Sequence, residues 1–149
     1  MAVMANEVSF VWVEAGMEAV LEELRPLEPI FHTAEFGTTV ADFDRRMAVD
    51  YWEVGASGRR YSREFILRTL EETPPVDAAA VGWTCREFGL RQIGDGTYLL
   101  TYMLDQGGRV TRRLTVWGKM EDGWRILFHQ GTVVTVGKTE TISSGQGSP

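Results

Sequence analysis

Cysteine is almost absent from this sequence. The single Cys85 rules out an internal disulfide and makes a reducing compartment, the cytoplasm, the natural setting. Histidine is nearly as scarce: His32 and His129 lie far apart and show no ligand spacing with Cys85, so neither a metal nor another cofactor is expected. Basic residues are outnumbered, 15 Lys and Arg against 21 Asp and Glu, and the net charge of −6 argues against a nucleic-acid partner, which needs a basic face. No apolar run approaches the roughly 20 residues of a membrane span. The apolar stretch Val8–Val13 is bracketed by Glu7 and Glu14, with no basic segment before it and no small-residue cleavage site after it. Neither a membrane partner nor a signal peptide is expected.

What is present suits one globular domain: 149 residues, 44% hydrophobic and 24% charged, enough to bury a core without staples. Val13, Met17, Val20, Leu21 and Leu24 recur at helical spacing, with glutamates on the other face, and Pro26 ends that helix. Thr39 and Asp42 form a capping box for a short second helix through Val40, Phe43 and Met47. Tyr51–Val54 reads as a strand and Gly55–Gly58 as a turn. Ser62 caps a third helix carrying Phe65, Ile66 and Leu70, which Thr73-Pro74-Pro75 stops. From Trp83 the period switches to two. Four runs, 83–93, 97–104, 109–119 and 124–134, are separated by Gly94-Asp95-Gly96, Gln106-Gly107-Gly108 and Glu121-Asp122-Gly123. These are hairpin turns, and the runs form an antiparallel meander. Residues 13–134 make the domain, 1–12 an N-terminal extension and 135–149 a flexible polar tail rich in Gly and Ser.

Turn position sets register, and register sets face. A turn over Met120–Gly123 pairs Lys119 with Trp124. An unbroken ladder then places Trp117, Ile126, Phe128, Arg113, Gln130, Leu100 and Tyr102 on one face. Met103, Leu114, Val116, Leu127 and His129 fall on the other. Both faces are substantially apolar. The first meets the helices, and the second is expected to meet another copy, giving a homodimer.

The runs Asp50–Arg59, Tyr61–Glu64, Arg112–Trp117 and Gly123–Thr132 resemble a small, mostly bacterial branch of unknown function in the nuclear transport factor 2-like (SnoaL-like) superfamily. Leu114 departs from that pattern, which implies a small hydroxyl residue there. The resemblance implies an α+β, cone-shaped fold, with three N-terminal helices packed on a curved antiparallel sheet. It covers enzymes and non-enzymatic modules alike, so it implies no single activity.

Candidate chemistry is sparse. Gly55-Ala56-Ser57-Gly58 lacks the Gly at 59 that a nucleophile elbow requires, so Ser57 reads as a turn residue. Glu53, in a strand of Tyr, Trp and Val, is the candidate base, its alternative being a salt bridge to Arg59 or Arg63. Tyr102, Arg113 and Gln130 are polar groups on a core-facing surface. They are expected either to line a pocket walled by Trp117, Ile126 and Phe128 or to form a structural network. The leading reading is a pocket for a small, partly apolar organic acid or carbonyl compound. The alternatives are a proton-transfer enzyme of isomerase, dehydratase or cyclase type and a structural dimeric module.

Overall fold

The computed structural model describes residues 12–135. Nearly all of the N-terminal extension and of the polar tail lies outside those residues. Three α-helices, α1 (Glu18–Leu24), α2 (Val40–Arg46) and α3 (Arg63–Glu72), pack on six strands. The strands are β1 (Met47–Val54), β2 (Arg60–Ser62), β3 (Thr84–Gly94), β4 (Thr97–Gln106), β5 (Arg109–Met120) and β6 (Gly123–Val133), in the order β2-β1-β6-β5-β4-β3. Among the described residues, no helix is long and apolar enough to cross a membrane.

Local signals explain most of these boundaries. The Thr39 hydroxyl accepts from the Asp42 amide, and the Asp42 carboxylate accepts from the Thr39 amide, closing the capping box that starts α2. Ser62 caps α3 in the same way through the Phe65 amide. The first helix is shorter than the apolar spacing predicts. Gly16 adopts φ of 87°, which ends any helical path from Val13, and Val13 instead bridges Leu90 at the edge of β3.

One expectation is corrected at the level of topology. The sheet is mixed, because β1 lies against the free edge of the meander and runs parallel to β6. The third helix follows β1, as the sequence order implies, with the short strand β2 between them. The parallel pairing sets Glu53 opposite His129 and Val54 opposite Gln130.

The larger correction is one residue wide. The β5–β6 ladder runs as expected from Met120↔Gly123 to Trp117↔Ile126, then slips: Val116 pairs with Phe128 rather than with Leu127. Leu127 is the extra residue of a β-bulge, and beyond it every side chain of β6 changes face. Phe128 and Gln130 therefore lie on the outer face with Val116 and Leu114, and His129 turns inward beside Thr115. Leu127 lies over Gly118, where a Cβ would sit 2.7 Å from Leu127 Cδ1 and would oblige that side-chain end to shift.

The core joins Leu24, Leu27, Ile30, Phe31, Phe36, Phe43 and Met47 to Tyr51, Leu100, Trp117 and Ile126. Arg46 staples the 28–38 loop over it. Its guanidinium donates to the carbonyls of Phe36 (3.1 Å) and Glu35 (3.0 Å) in the loop and Trp124 (3.1 Å) in β6. Arg46→Met removes all three bonds at once. It is expected to lower stability by roughly 2–4 kcal/mol in urea unfolding, because each carbonyl then regains only water.

Candidate functional site

The inner face of β4, β5 and β6 rises from the packed core toward polar groups. Below lie Leu100, Trp117 and Ile126, all fully buried. Above them Tyr102 pairs across the ladder with Arg113, and Thr115 with His129. Glu53 of β1 flanks His129. Pro29–His32 closes this end from the helix side and Trp83 from the other loop, leaving a cavity of about 120 Å³. Its polar lining is Glu53, Tyr102, Arg113, His129, His32 and Gln106. Three of the sequence candidates, Glu53, Tyr102 and Arg113, thus reach one cavity. Trp117 lies in the core beneath, and Phe128 and Gln130 face away, for the reason of the bulge.

Arg113 crosses the ladder opposite Gly131, where a Cβ would lie 3.4 Å from the guanidinium carbon. Its Nε donates to Thr111 Oγ1 (2.8 Å) and its Nη1 makes a long contact of 3.4 Å to His129 Nε2. Among the described residues no carboxylate lies within salt-bridge distance of it, whereas Arg63, a candidate partner for Glu53, pairs with Asp44. Glu53 accepts from the Tyr51 hydroxyl at 2.5 Å. Burial raises the Glu53 carboxyl above its usual range, against the pull of Tyr51 and of Arg113.

Glu28 is the residue that sequence reasoning missed. Only 5% exposed, it sits behind Tyr102. Its Oε1 accepts from Tyr102 Oη (2.6 Å) and the Ile30 amide (3.2 Å), and its Oε2 from Trp117 Nε1 (3.0 Å). Burial pushes its carboxyl up to about 7, while Tyr102, Thr115, Trp117 and the Ile30 amide all favour the ionised form. The available signal was a lone carboxylate in the apolar run Leu27-Glu28-Pro29-Ile30-Phe31.

The hydrogen-bond polarity of this network follows from chemistry. Arginine has no acceptor, so His129 Nε2 faces it with a lone pair and Nδ1 carries the proton. Nδ1 then donates to Thr115 Oγ1, 2.8 Å away, and the Thr115 proton is left for Glu28. Burial, with Arg113 adding to it, pushes His129 down to about 3, so it stays neutral. Cys85 is pushed up to about 12 by burial and remains a thiol, not a nucleophile.

A larger cleft of about 290 Å³ opens beside α2, and its arginines are all engaged. Arg45 pairs with Asp42, Arg125 with Asp122, and Arg46 holds three carbonyls. The 120 Å³ cavity, by contrast, holds an arginine without a carboxylate partner among the described residues.

Glu28 and His129 oppose each other in pH linkage. The raised carboxyl of Glu28 binds its proton more tightly when folded, so its stabilising effect is lost as pH rises from 4.5 to about 7. His129 is depressed from 6.5 to about 3, so its effect is lost as pH falls through that window. Glu28→Gln leaves His129 unopposed. Relative to the parent, the variant is expected to gain roughly 3 kcal/mol between about pH 4.5 and 7, read by urea unfolding across pH. Parallel curves for the two proteins would contradict the assignment.

No protein-family model matches the chain, and no curated protein is similar to it. Solved structures are similar. A nuclear transport factor 2-like protein from Cytophaga hutchinsonii superposes with a TM-score of 0.59 at 12% identity, over 80% of this chain and 98% of that one. A protein of unknown function from Pectobacterium atrosepticum gives 0.55 at 20% identity, over 78% and 87%. A ketosteroid isomerase-like protein from Parabacteroides distasonis gives 0.50 at 18% identity, over 66% and 78%. At these identities the likeness concerns the path of the backbone and not the chemistry carried on it. This chain has the nuclear transport factor 2-like fold.

Proposed function

We propose that the cavity over β4, β5 and β6 binds a small organic acid through Arg113. The observation that carries this reading is a half-buried guanidinium on a cavity wall without a carboxylate partner among the described residues. A permanent cation in that setting favours an anionic ligand group, and its fork matches a carboxylate. Cavity volume bounds the ligand. Sites for drug-sized ligands span roughly 300–1,000 Å³, whereas an apolar cavity of about 150 Å³ holds benzene. At about 120 Å³ this pocket fits a carboxylate of two to four carbons. Isothermal titration with acetate and propionate tests the reading. Arg113→Met is expected to weaken binding at least tenfold while the protein stays folded, since no ion pair is broken. Equal binding by both proteins, or none by either, would remove the assignment.

A second reading is proton transfer, with Glu53 as base and Arg113 steadying negative charge on a carbonyl oxygen. It is favoured by a carboxylate of raised pKa that shares the cavity with Arg113 without pairing to it. Its test is the loss of deuterium exchange at the carbon beside a bound carbonyl in Glu53→Gln.

We also infer a homodimer through the outer sheet face, within the reducing compartment that a lone cysteine suits. Leu114, Val116 and Leu127 are half-buried there, joined by Phe128 and by Trp52, which is 44% exposed and packs on Phe128 at 4.7 Å. Met103 and His129 are already buried within one chain and contribute little to such a contact. Leu114→Glu is expected to give a monomer by light scattering at micromolar concentration. A parent protein that is itself monomeric would end this inference.

A further inference from the structure

Around Tyr102, His129 and Glu53 the cavity wall offers hydrogen-bond acceptors, with Arg113 as the donor among them, and Glu28 is the cause; Gln106 and Trp83, which carry N–H donors, line the cavity from the end of β4 and from the loop before β3. An ionised carboxylate is acceptor-only, so the Tyr102 proton must point to Glu28 Oε1, 2.6 Å away. The Tyr102 oxygen then has only lone pairs to present elsewhere. The Thr115 hydroxyl is held in the same sense, which keeps the His129 proton on Nδ1 and a lone pair on Nε2. Glu53 Oε1 takes the Tyr51 hydroxyl, and among the described residues no hydrogen bond reaches its Oε2. Tyr102, His129 and Glu53 all line the cavity. Tyr102 and Glu53 are the open acceptors, since His129 Nε2 already faces Arg113, the cation of this wall.

We propose that the pocket selects small 2-hydroxycarboxylic acids over keto acids, with Glu28 as the specificity-determining residue. This rests on the reading of the cavity as an acid site. The carboxylate meets Arg113, and the α-hydroxyl donates to an acceptor that Glu28 has set. A keto oxygen in the same place would face lone pairs, leaving two acceptors unsatisfied in a confined site. An α-ammonium would supply donors but would put a second cation beside Arg113. The volume of about 120 Å³ suits an acid of two or three carbons. Glu28 does not line the cavity itself. It acts through Tyr102 and Thr115.

Several titratable or charged groups lie on the strands around Glu28 and its partners. They are Tyr51 and Glu53 on β1, Cys85 on β3, Tyr102 on β4, Arg113 on β5 and His129 on β6. Burial holds both tyrosines and Cys85 neutral well above pH 7 and His129 neutral well below it. Burial raises the Glu53 carboxyl as well, and on protonation it too becomes a donor.

The test is isothermal titration of the full chain with lactate, pyruvate and propionate. At about pH 8.5, where Glu28 is ionised, lactate is expected to bind about tenfold more tightly than pyruvate, the worth of one satisfied hydrogen bond. Glu28→Gln supplies an amide N–H that frees the Tyr102 proton, so the preference should shrink below about threefold. Should that variant not fold, the parent protein at about pH 5.5 makes the same measurement, because Glu28 is then protonated and the preference should fall likewise. Pyruvate binding as tightly as lactate at the higher pH would overturn the proposal. A preference that survives both Glu28→Gln and acid pH would also overturn it. In both of those outcomes propionate still binds, so the acid site stands. Failure of all three acids to bind would instead remove the acid site and this inference together.

Discussion

The Glu28 carboxylate joins two parts of the molecule that the chain itself keeps apart. It leaves an extended residue just after the helical turn Arg25–Leu27 and ends among donors from β4 and β5, with the Ile30 amide closing the circle. A carboxylate in so dry a place is costly unless its lone pairs are filled. Tyr102 and Trp117 fill them, and so draw the 28–31 loop down on the sheet. That closure forms one wall of the cavity, through Pro29, Ile30, Phe31 and His32. It also sets the direction of the hydrogen bonds behind the cavity lining. Structure and site chemistry here share one group.

The second constraint is the bulge at Leu127. Without it His129 would lie on the outer face and Gln130 on the inner one, and the polar network would lose the imidazole linking Thr115 to Arg113. Two glycines lie under the side chains involved: Leu127 packs over Gly118, and the Arg113 side chain lies across Gly131. Neither has a positive φ, so each is used for its missing Cβ and not for its backbone freedom. The parallel pairing of β1 with β6 then delivers Glu53 next to the reoriented His129.

The pocket has the character of a small polar site on the rim of an aromatic core. Phe36 and Trp124 flank Trp117 edge-to-face, and Phe88 stacks on Tyr102 at 5.4 Å. These rings fix the Tyr102 and Trp117 donors before any ligand arrives. A preorganised set of this kind loses little entropy on binding, which is how a site of small volume achieves useful affinity.

Much of the architecture was legible in order of residues. Period-two runs, hairpin glycines, the Thr39–Asp42 box and the Ser62 cap are local signals, and local signals survive into the fold because nothing in the tertiary structure competes with them. Tyr102 and Arg113 were placed on the inner face because both lie upstream of the bulge, where the ladder from the Gln106–Gly108 turn is unbroken. Phe128, His129 and Gln130 were misplaced because an inserted residue leaves the alternation on either side of it intact, and parity alone cannot show where it slips. Glu28 was invisible for another reason. A carboxylate between two prolines looks like any solvated helix end until the strands that supply its donors, 74 and 89 residues further on, are folded against it. The sequence by itself determined the four strands of the meander, the caps that start α2 and α3, and which residues sit opposite across the β4–β5 turn, since these depend on neighbours a few positions away. Only the tertiary structure decided which polar groups share a cavity and which way their protons point, because those depend on contacts between elements that the chain brings together last.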